Sequence, residues 1–204
     1  MAGFQILMVD VDGVIVVRPD GRRWDADLMA DLGVDPADLQ AAFFTPHWPA
    51  IVTGRARIED HLPAALARIA PEVAAETLIA YWFEKDAILD QVLLDDLSAL
   101  RATGVPMHLA TVQDHRRADH LWNALGLKGR FDGLLHSALI GHAKPDPAYF
   151  DAVARRLDTA PADLLLLDDS PRNVAAAIGA GWQGRLWTGE QSLADCLAHP
   201  VPPG

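Results

Sequence analysis

The sequence predicts a doubly wound α/β core of five parallel strands, in the order 3-2-1-4-5, with a helical lobe inserted after the first strand. Three observations support this prediction. Short apolar runs alternate with segments of helical spacing, acidic or hydroxyl residues follow several of these runs, and about 70 residues after the first run contain no convincing strand.

Five apolar runs are predicted to form the strands. In chain order they are Phe4–Val9, Pro106–Thr111, Leu134–His136, Leu164–Leu167 and Gly184–Trp187. Runs that are short and almost continuously apolar are typical of strands buried on both faces of a parallel sheet. The last run is expected to lie at an edge of the sheet.

Helices are predicted between these strands. Ser170 and Pro171 are suited to the N-cap and the first position of one helix, because serine accepts from the free backbone N–H groups there and proline needs no donor. The other core helices are expected over Leu93–Ala102, Arg116–Leu125 and Pro147–Leu157.

The insert after the first strand has helical spacing throughout. Its predicted helices are Trp24–Leu32, Pro36–Phe44, Ile58–Ala70 and Glu72–Phe83. We therefore expect a separate helical cap over residues 15–88, and an α/β catalytic core made of residues 1–14 and 89–204. The proline-rich end, residues 200–204, is expected to fray.

Composition narrows the class of function. The formal net charge of −11 argues against a general role in binding nucleic acid or anionic membranes. No window approaches the roughly 18 apolar residues of a membrane span, and Asp10 and Asp12 interrupt the apolar N-terminal run, unlike a signal peptide. Cys196 is the only cysteine, which excludes an internal disulfide and fits a reducing compartment. A cytoplasmic protein is predicted.

Polar residues fall where doubly wound folds bind their ligands, at the carboxyl ends of the strands. The residues concerned are Asp10 and Asp12 after the first strand, Thr111 at the end of the second, Lys144 in a loop after the third, and Asp168 and Asp169 after the fourth. We expect these side chains to converge on one crevice.

This set of groups predicts a metal-assisted reaction. The spacing of Asp10 and Asp12 would point both carboxylates to one side of a strand, and Gly13 allows a sharp turn after them. Carboxylate oxygens are the ligands of hard cations such as Mg²⁺. So many negative charges stay ionised only with a metal ion and Lys144 to compensate them.

The same residues resemble the motifs of the haloacid dehalogenase superfamily. Asp10-Val11-Asp12-Gly13-Val14 is similar to its first motif, Thr111 to its second, Lys144-Pro145 to its third and Asp168-Asp169 to its fourth. The resemblance extends over the whole chain, and the insert resembles the helical cap of this family. It implies a Rossmann-like core and an enzyme that hydrolyses phosphate monoesters.

The resemblance also implies a catalytic role for each residue. Asp10 would be the nucleophile that forms an aspartyl-phosphate, and Asp12 would protonate the leaving oxygen and then activate water. Thr111 and the backbone amide of Val112 would hold phosphate oxygens, although relatives often carry Asn at the position of Val112. Lys144 would balance the charge of Asp10 and the phosphoryl group.

The implied metal ligands are carboxylates and one carbonyl. Asp10, the main-chain carbonyl of Asp12 and Asp169 would bind Mg²⁺, with Asp168 as a supporting residue or alternate ligand. An aspartate at position 12 favours a phosphatase or a phosphomutase, because the dehalogenases of the family lack it and need no metal.

The expected function is a Mg²⁺-dependent phosphatase acting on a small phosphorylated metabolite. The alternatives are a phosphomutase similar to β-phosphoglucomutase, a catalytically idle binding module, and a phospho-accepting signalling domain, whose acidic pair would come before its acceptor aspartate. Substrate choice is assigned to the cap, where the candidates are Arg18, Arg22, Arg23, His47, Trp48 and Arg55. The sequence names neither the substrate nor the oligomeric state.

Overall fold

A five-stranded parallel sheet forms the centre of the computed structural model, which describes residues 3–198. The strands are β1 (Ile6–Val9), β2 (Met107–Thr111), β3 (Gly133–His136), β4 (Leu164–Asp168) and β5 (Gln183–Leu186). Their order is β3-β2-β1-β4-β5 and all neighbouring pairs are parallel. The predicted fold class and strand order are confirmed, with strand ends displaced by one or two residues.

Apolar side chains cover both faces of this sheet. Leu7 and Val9 of β1 lie in one apolar cluster, whereas Met8 between them lies in another. The four leucines of β4 divide between the two clusters in the same way. Since successive strand residues point to opposite faces, both faces are buried. This burial explains why the strands are nearly continuous in apolar residues.

The segment between β1 and β2 begins with five helices of the cap. They are α1 (Leu28–Leu32), α2 (Pro36–Leu39), α3 (Thr45–Ile51), α4 (Ile58–Ile69) and α5 (Ala75–Lys85), and a π-helical turn, Gln40–Phe44, joins α2 to α3. The helix expected to end at Phe44 thus continues to Ile51. The prediction stopped early because Pro46 and Pro49 are poor helix residues.

These helices share an apolar cluster of their own. Its buried residues all lie between Leu28 and Phe83, and none belongs to the two clusters that flank the sheet. Trp82 lies near its centre and stacks on Trp24, with 5.3 Å between the ring centroids. The separate cluster supports the proposed cap, whose boundaries at residues 15 and 88 stay a prediction.

The two segments that join cap and core pair with each other. Val16 forms an antiparallel bridge with Leu89. The N–H of Val17 donates to the carbonyl of Ile88 at 2.9 Å, and that of Asp90 donates to the carbonyl of Ile15 at 2.8 Å. This short two-stranded connection leaves the core directly after the loop that holds Asp10 and Asp12.

In the described part of the chain, six further α-helices pack around the sheet. They are α6 (Gln91–Ala102), α7 (His115–Asp119), α8 (Ser137–Ile140), α9 (Pro147–Arg156), α10 (Pro171–Gly179) and α11 (Leu193–Ala198), and a π-helical turn, His120–Ala124, continues α7. The Ser170 hydroxyl caps α10 by accepting from the N–H of Asn173 at 3.4 Å, as predicted. Within residues 3–198, no helix is long and apolar enough to cross a membrane. The end predicted to fray lies outside the described residues.

Candidate active site

The sheet register places three polar residues side by side at the carboxyl ends of neighbouring strands. Val9 pairs with Leu109 of β2 and with Leu167 of β4. Asp10, Thr111 and Asp168 therefore follow these paired positions by one or two residues, at the carboxyl ends of the three central strands. The N–H of Asp10 donates to the carbonyl of Leu167 at 2.9 Å, which fixes the start of the loop against β4.

The two aspartates after β1 occupy different surroundings. The strand ends at Val9, so both aspartates lie beyond it. The expectation that their carboxylates point to one side stays a prediction. The Asp12 carboxylate accepts a hydrogen bond from the side chain of Gln113 at 2.5 Å. Asp10 instead faces Lys144, whose Nζ lies 3.0 Å from its Oδ1.

Lys144 joins two of the predicted aspartates. Its buried ammonium lies 2.5 Å from Oδ2 of Asp168 and 3.0 Å from Oδ1 of Asp10. Burial acts to lower the pKa of Lys144, but the two carboxylates together raise it above its ordinary value. The lysine is therefore held as a cation between two buried carboxylates.

Three carboxylates lie close enough to share a cation. One oxygen from each of Asp10, Asp168 and Asp169 lies within 4.8 Å of the other two. Asp168 is fully buried, and its oxygens also accept from the N–H of Ser170 at 2.9 Å and the side-chain amide of Asn173 at 3.0 Å. Asp169 is exposed and keeps its carboxylate toward the loop of the first motif.

Gly13 makes this approach possible. Its φ is +80°, and a Cβ at this position would lie 2.1 Å from Oδ2 of Asp169. Any side chain here would displace the Asp169 carboxylate, so the glycine is needed for space as well as for the turn. An all-oxygen set of carboxylates fits a hard divalent cation such as Mg²⁺.

The pKa values of Asp10 and Asp12 are both raised above the ordinary value of an aspartate. The pKa of Asp10 is raised to about 8, chiefly by burial and also by the charges of Asp168 and Asp12, against the opposing charge of Lys144. Burial and the nearby Asp86 raise the pKa of Asp12 to about 6, against the opposing charge of Arg117. A bound cation would oppose these shifts and favour the ionised form of both carboxylates.

Two polar atoms of the site are buried without a partner. Neither Oγ1 of Thr111 nor Oδ1 of Asp12 forms a hydrogen bond within the described part of the chain. A buried polar atom without a partner calls for an explanation. Groups that bind or protonate a substrate in this crevice would provide one. Val112, the next residue after Thr111, is half-buried.

The cap candidates already have contacts in the protein. Arg18 forms an ion pair with Asp86 at 2.9 Å, and Arg22 and Arg23 pair with aspartates of the cap at 2.6 and 2.8 Å. His47 stacks on His61 with 4.1 Å between the rings, Trp48 lies in the cap's apolar cluster, and Arg55 donates to the carbonyl of Pro49 at 3.3 Å. Their role in substrate choice stays a prediction.

Sequence reasoning missed the residues of the core that contact the cap. Arg116 binds both oxygens of Glu76 at 2.9 and 2.7 Å and lies 3.2 Å from Glu59. The buried Arg117 donates to the carbonyl oxygens of Phe83 and Asp86. Asp114 is the N-cap of α7, and its side chain accepts from the N–H groups of Arg116 and Arg117. An aspartate before a helix is a capping signal that can be read from the sequence.

Comparison with known proteins identifies the family. The family model described as haloacid dehalogenase-like hydrolase matches residues 4–181. The chain belongs to this family. The resemblance stated from its motifs is confirmed, as is the prediction that the chain is an enzyme, a hydrolase.

Several curated relatives are phosphatases. The chain is 27% identical to the fructose-1-phosphate phosphatase YqaB of Escherichia coli, over 86% of this chain and 92% of that protein. It is 25% identical to the validoxylamine A 7'-phosphate phosphatase of Streptomyces hygroscopicus, over 87% of this chain and 83% of that one. A shorter match, 40% identical, covers 33% of the chain and only 33% of the sesquiterpene phosphatase astK of Aspergillus oryzae.

A solved structure has the same fold. The haloacid dehalogenase family enzyme bt-2542 of Bacteroides thetaiotaomicron, in complex with magnesium and inorganic phosphate, superposes with a TM-score of 0.79 at 18% identity. The match covers 95% of this chain and 98% of that one. At this identity the similarity establishes the fold alone, over the 95% of the chain that it covers.

Proposed function

We propose that this protein is a Mg²⁺-dependent phosphatase that hydrolyses a small phosphorylated metabolite through an aspartyl-phosphate on Asp10. The observation that carries the proposal is the position of the Asp10 carboxylate. It lies 3.0 Å from the Lys144 ammonium and within a cluster of carboxylates. The Thr111 hydroxyl, which has no hydrogen-bond partner among residues 3–198, lies at the same end of the strands. The family and the phosphatases among the relatives support phosphate monoesters as the substrate class.

In the first half-reaction, an Asp10 oxygen attacks phosphorus and the bond from phosphorus to the ester oxygen breaks. Asp12 donates its proton to the departing oxygen, so that the alcohol leaves neutral. The raised pKa of Asp12, about 6, suits a group that donates a proton near neutral pH. Thr111 and the Val112 amide donate hydrogen bonds to the phosphoryl oxygens, and Lys144 offsets their charge.

In the second half-reaction, Asp12 acts in the opposite sense. It takes a proton from a water molecule as the water oxygen attacks phosphorus, and the bond from phosphorus to Asp10 breaks. Inorganic phosphate leaves, Asp10 is restored as a carboxylate and Asp12 is again protonated. The two half-reactions together consume one water molecule and return both aspartates to their starting states.

The metal would be held by Asp10, the main-chain carbonyl of Asp12 and Asp169. Asp168, whose oxygens are engaged by Lys144, Ser170 and Asn173, would support the site. When bound, Mg²⁺ would bring the anionic phosphate and the anionic nucleophile together and polarise the phosphoryl oxygens.

A sugar phosphate or a similar polyol phosphate is the proposed kind of substrate. This choice rests on two relatives that match over most of both chains, the phosphatases for fructose 1-phosphate and for validoxylamine A 7'-phosphate. The substrate would bind between cap and core, with its phosphoryl group at Thr111. We also propose that the protein acts in the cytoplasm, since its single cysteine fits a reducing compartment.

The test is phosphate release from a panel of phosphorylated metabolites, with Mg²⁺ and with excess chelator after metal stripping. We expect activity only with the metal, and a loss on the order of 10³-fold or more for Asp10→Asn. Asp95→Asn, at an exposed carboxylate of α6, is the matched control and should keep full activity. Full turnover in chelator, or in a folded Asp10→Asn protein, would contradict the proposal. An isomerised sugar phosphate without free phosphate would identify a phosphomutase.

A further inference from the structure

We propose that Gln113 is a positioning residue that fixes the Asp12 carboxylate and determines which of its two oxygens carries the transferred proton. This inference rests on the proposed function, because it concerns the acid and base of that reaction. Gln113 lies two residues beyond Thr111 and belongs to none of the motifs that the sequence revealed.

The contact is short and shielded from solvent. Nε2 of Gln113 lies 2.5 Å from Oδ2 of Asp12, and Gln113 is only 4% exposed. Oδ1 of the same carboxylate is buried and has no hydrogen-bond partner within residues 3–198. The two oxygens of Asp12 are therefore inequivalent: one is anchored by an amide and the other is free.

Gln113 is itself held firmly. Its main-chain carbonyl accepts hydrogen bonds from the hydroxyl of Ser137 at 3.2 Å and from the N–H of Ala138 at 3.2 Å. The fully buried hydroxyl of Ser137 also donates to the carbonyl of Val52 in the cap at 2.6 Å. The main chain at Gln113 is thus tied to the start of α8 and, through Ser137, to the cap. An anchor of this kind can hold the carboxylate without moving itself.

An amide suits this task because it does not titrate. The NH₂ group of Gln113 can only donate, so it requires Oδ2 of Asp12 to accept in both protonation states. The proton of the acid form then lies on Oδ1. In the first half-reaction this proton passes from Oδ1 to the departing ester oxygen. In the second, Oδ1 takes a proton from the attacking water. Gln113 touches neither substrate nor proton, and acts only through Asp12.

The first test is a double-mutant cycle of Gln113→Leu and Asp12→Asn, measured as kcat/KM, which reports on the half-reaction that expels the alcohol. For an alkyl ester such as fructose 1-phosphate, we expect Gln113→Leu to lower kcat/KM about 10- to 100-fold, since misplacing a catalytic group by about 1 Å has effects of this size. For 4-nitrophenyl phosphate, whose leaving group needs little protonation, the loss should stay below about 3-fold.

The cycle separates positioning from a general structural role. In the Asp12→Asn background, Gln113→Leu should cause almost no further loss, because the residue through which it acts is already disabled. Gln40→Leu, which removes an exposed glutamine that donates to Thr45 of the cap, is the matched control and should behave as the wild type. An equal loss for all substrates, or the same loss in both backgrounds, would overturn the proposal.

A second measurement does not depend on turnover. In a crystal structure of Gln113→Leu, we expect the Asp12 carboxylate to leave its position by about 1 Å or more, since its anchor is gone. An unmoved Asp12 would overturn the proposal. If the leucine variant does not fold, Gln113→Glu keeps the shape but turns an acceptor toward Asp12, and should displace it likewise. If the wild type releases no phosphate from any ester, the proposed function fails, whereas the crystal structure still decides whether Gln113 positions Asp12.

Discussion

Removing the charge of the proposed nucleophile should stabilise the metal-free protein while it abolishes turnover. Asp10 is buried, and burial is the main reason why its pKa rises from the ordinary 3.8 to about 8. Between about pH 4 and pH 8, the folded protein therefore binds a proton that the unfolded chain releases. The free energy of unfolding of the wild type should fall as the pH rises through this window. Asn in place of Asp10 has no proton to lose, so Asp10→Asn should escape this loss.

The size of the effect follows from the shift. One pKa unit corresponds to about 1.4 kcal/mol, so the raised pKa of Asp10 lowers the free energy of unfolding by about 4 kcal/mol at pH 7 and by about 2 kcal/mol at pH 5, because the unfolded chain releases this proton above about pH 4. This loss already contains the attraction of Lys144, which lowers the pKa of Asp10. For a chain of 204 residues, about 4 kcal/mol corresponds to a rise in Tm of roughly 10 °C.

Urea unfolding in excess chelator at pH 5, 7 and 8, followed by circular dichroism, measures the effect. Asp10→Asn should exceed the wild type by a margin that grows with pH, and saturating Mg²⁺ should narrow the margin because it stabilises only the intact carboxylate site. The control Asp95→Asn, with a side chain that is 76% exposed, should differ from the wild type by less than about 0.5 kcal/mol at every pH. A margin that is the same at pH 5 and pH 8, or a less stable Asp10→Asn, would refute the reasoning.

Two further predictions concern phosphate binding and cap closure. Thr111→Val removes a buried hydroxyl that has no partner in the described residues. We expect kcat/KM to fall by one common factor, about 10-fold, for every substrate of the metabolite panel. The Tm should not fall. A fall confined to some substrates would contradict a role in holding the phosphoryl group. Arg116→Ala breaks partly exposed ion pairs that join the core to Glu59 and Glu76 of the cap. The free energy of unfolding should change by less than about 1 kcal/mol. The KM should rise and should lose part of its dependence on salt concentration. An unchanged KM at low and high salt would show that these pairs do not hold the cap closed.

The core of the fold could be predicted because each strand carries its own local signal. The run Leu164–Leu167 is apolar at every position, and it forms β4, which is buried on both faces between β1 and β5. Glycine, proline and serine mark the adjacent helix ends, as Ser170 and Pro171 do at the start of α10. The place of the candidate site could be predicted from topology, because parallel strands end on the same side of the sheet and bring their terminal residues together.

The helix α3 shows where local signals fail. Pro46 and Pro49 predict an end to the helix near Phe44, yet the chain continues through a π-helical turn to Ile51. Tertiary packing overrides the local preference here. Phe43 and Ile51 are 1% exposed and enter the same apolar cluster as Trp82. Burial of such side chains contributes about 1.5–3 kcal/mol each, which is enough to offset the loss of a backbone hydrogen bond at a proline.

The contact between Gln113 and Asp12 illustrates why a proposed catalytic residue is easier to predict than a group that contacts it. Asp12 belongs to a compact motif, and the resemblance of that motif to a known family implies its role. Gln113 lies 101 positions away, follows β2 by two residues, and is of a type that most often lies at the surface. The pairing of β1 with β2 brings the two together, and the buried Ser137 then fixes the backbone that carries the amide. The proposed acid can thus be named from the sequence, whereas the contact that holds its carboxylate is found only in the packing of the folded chain.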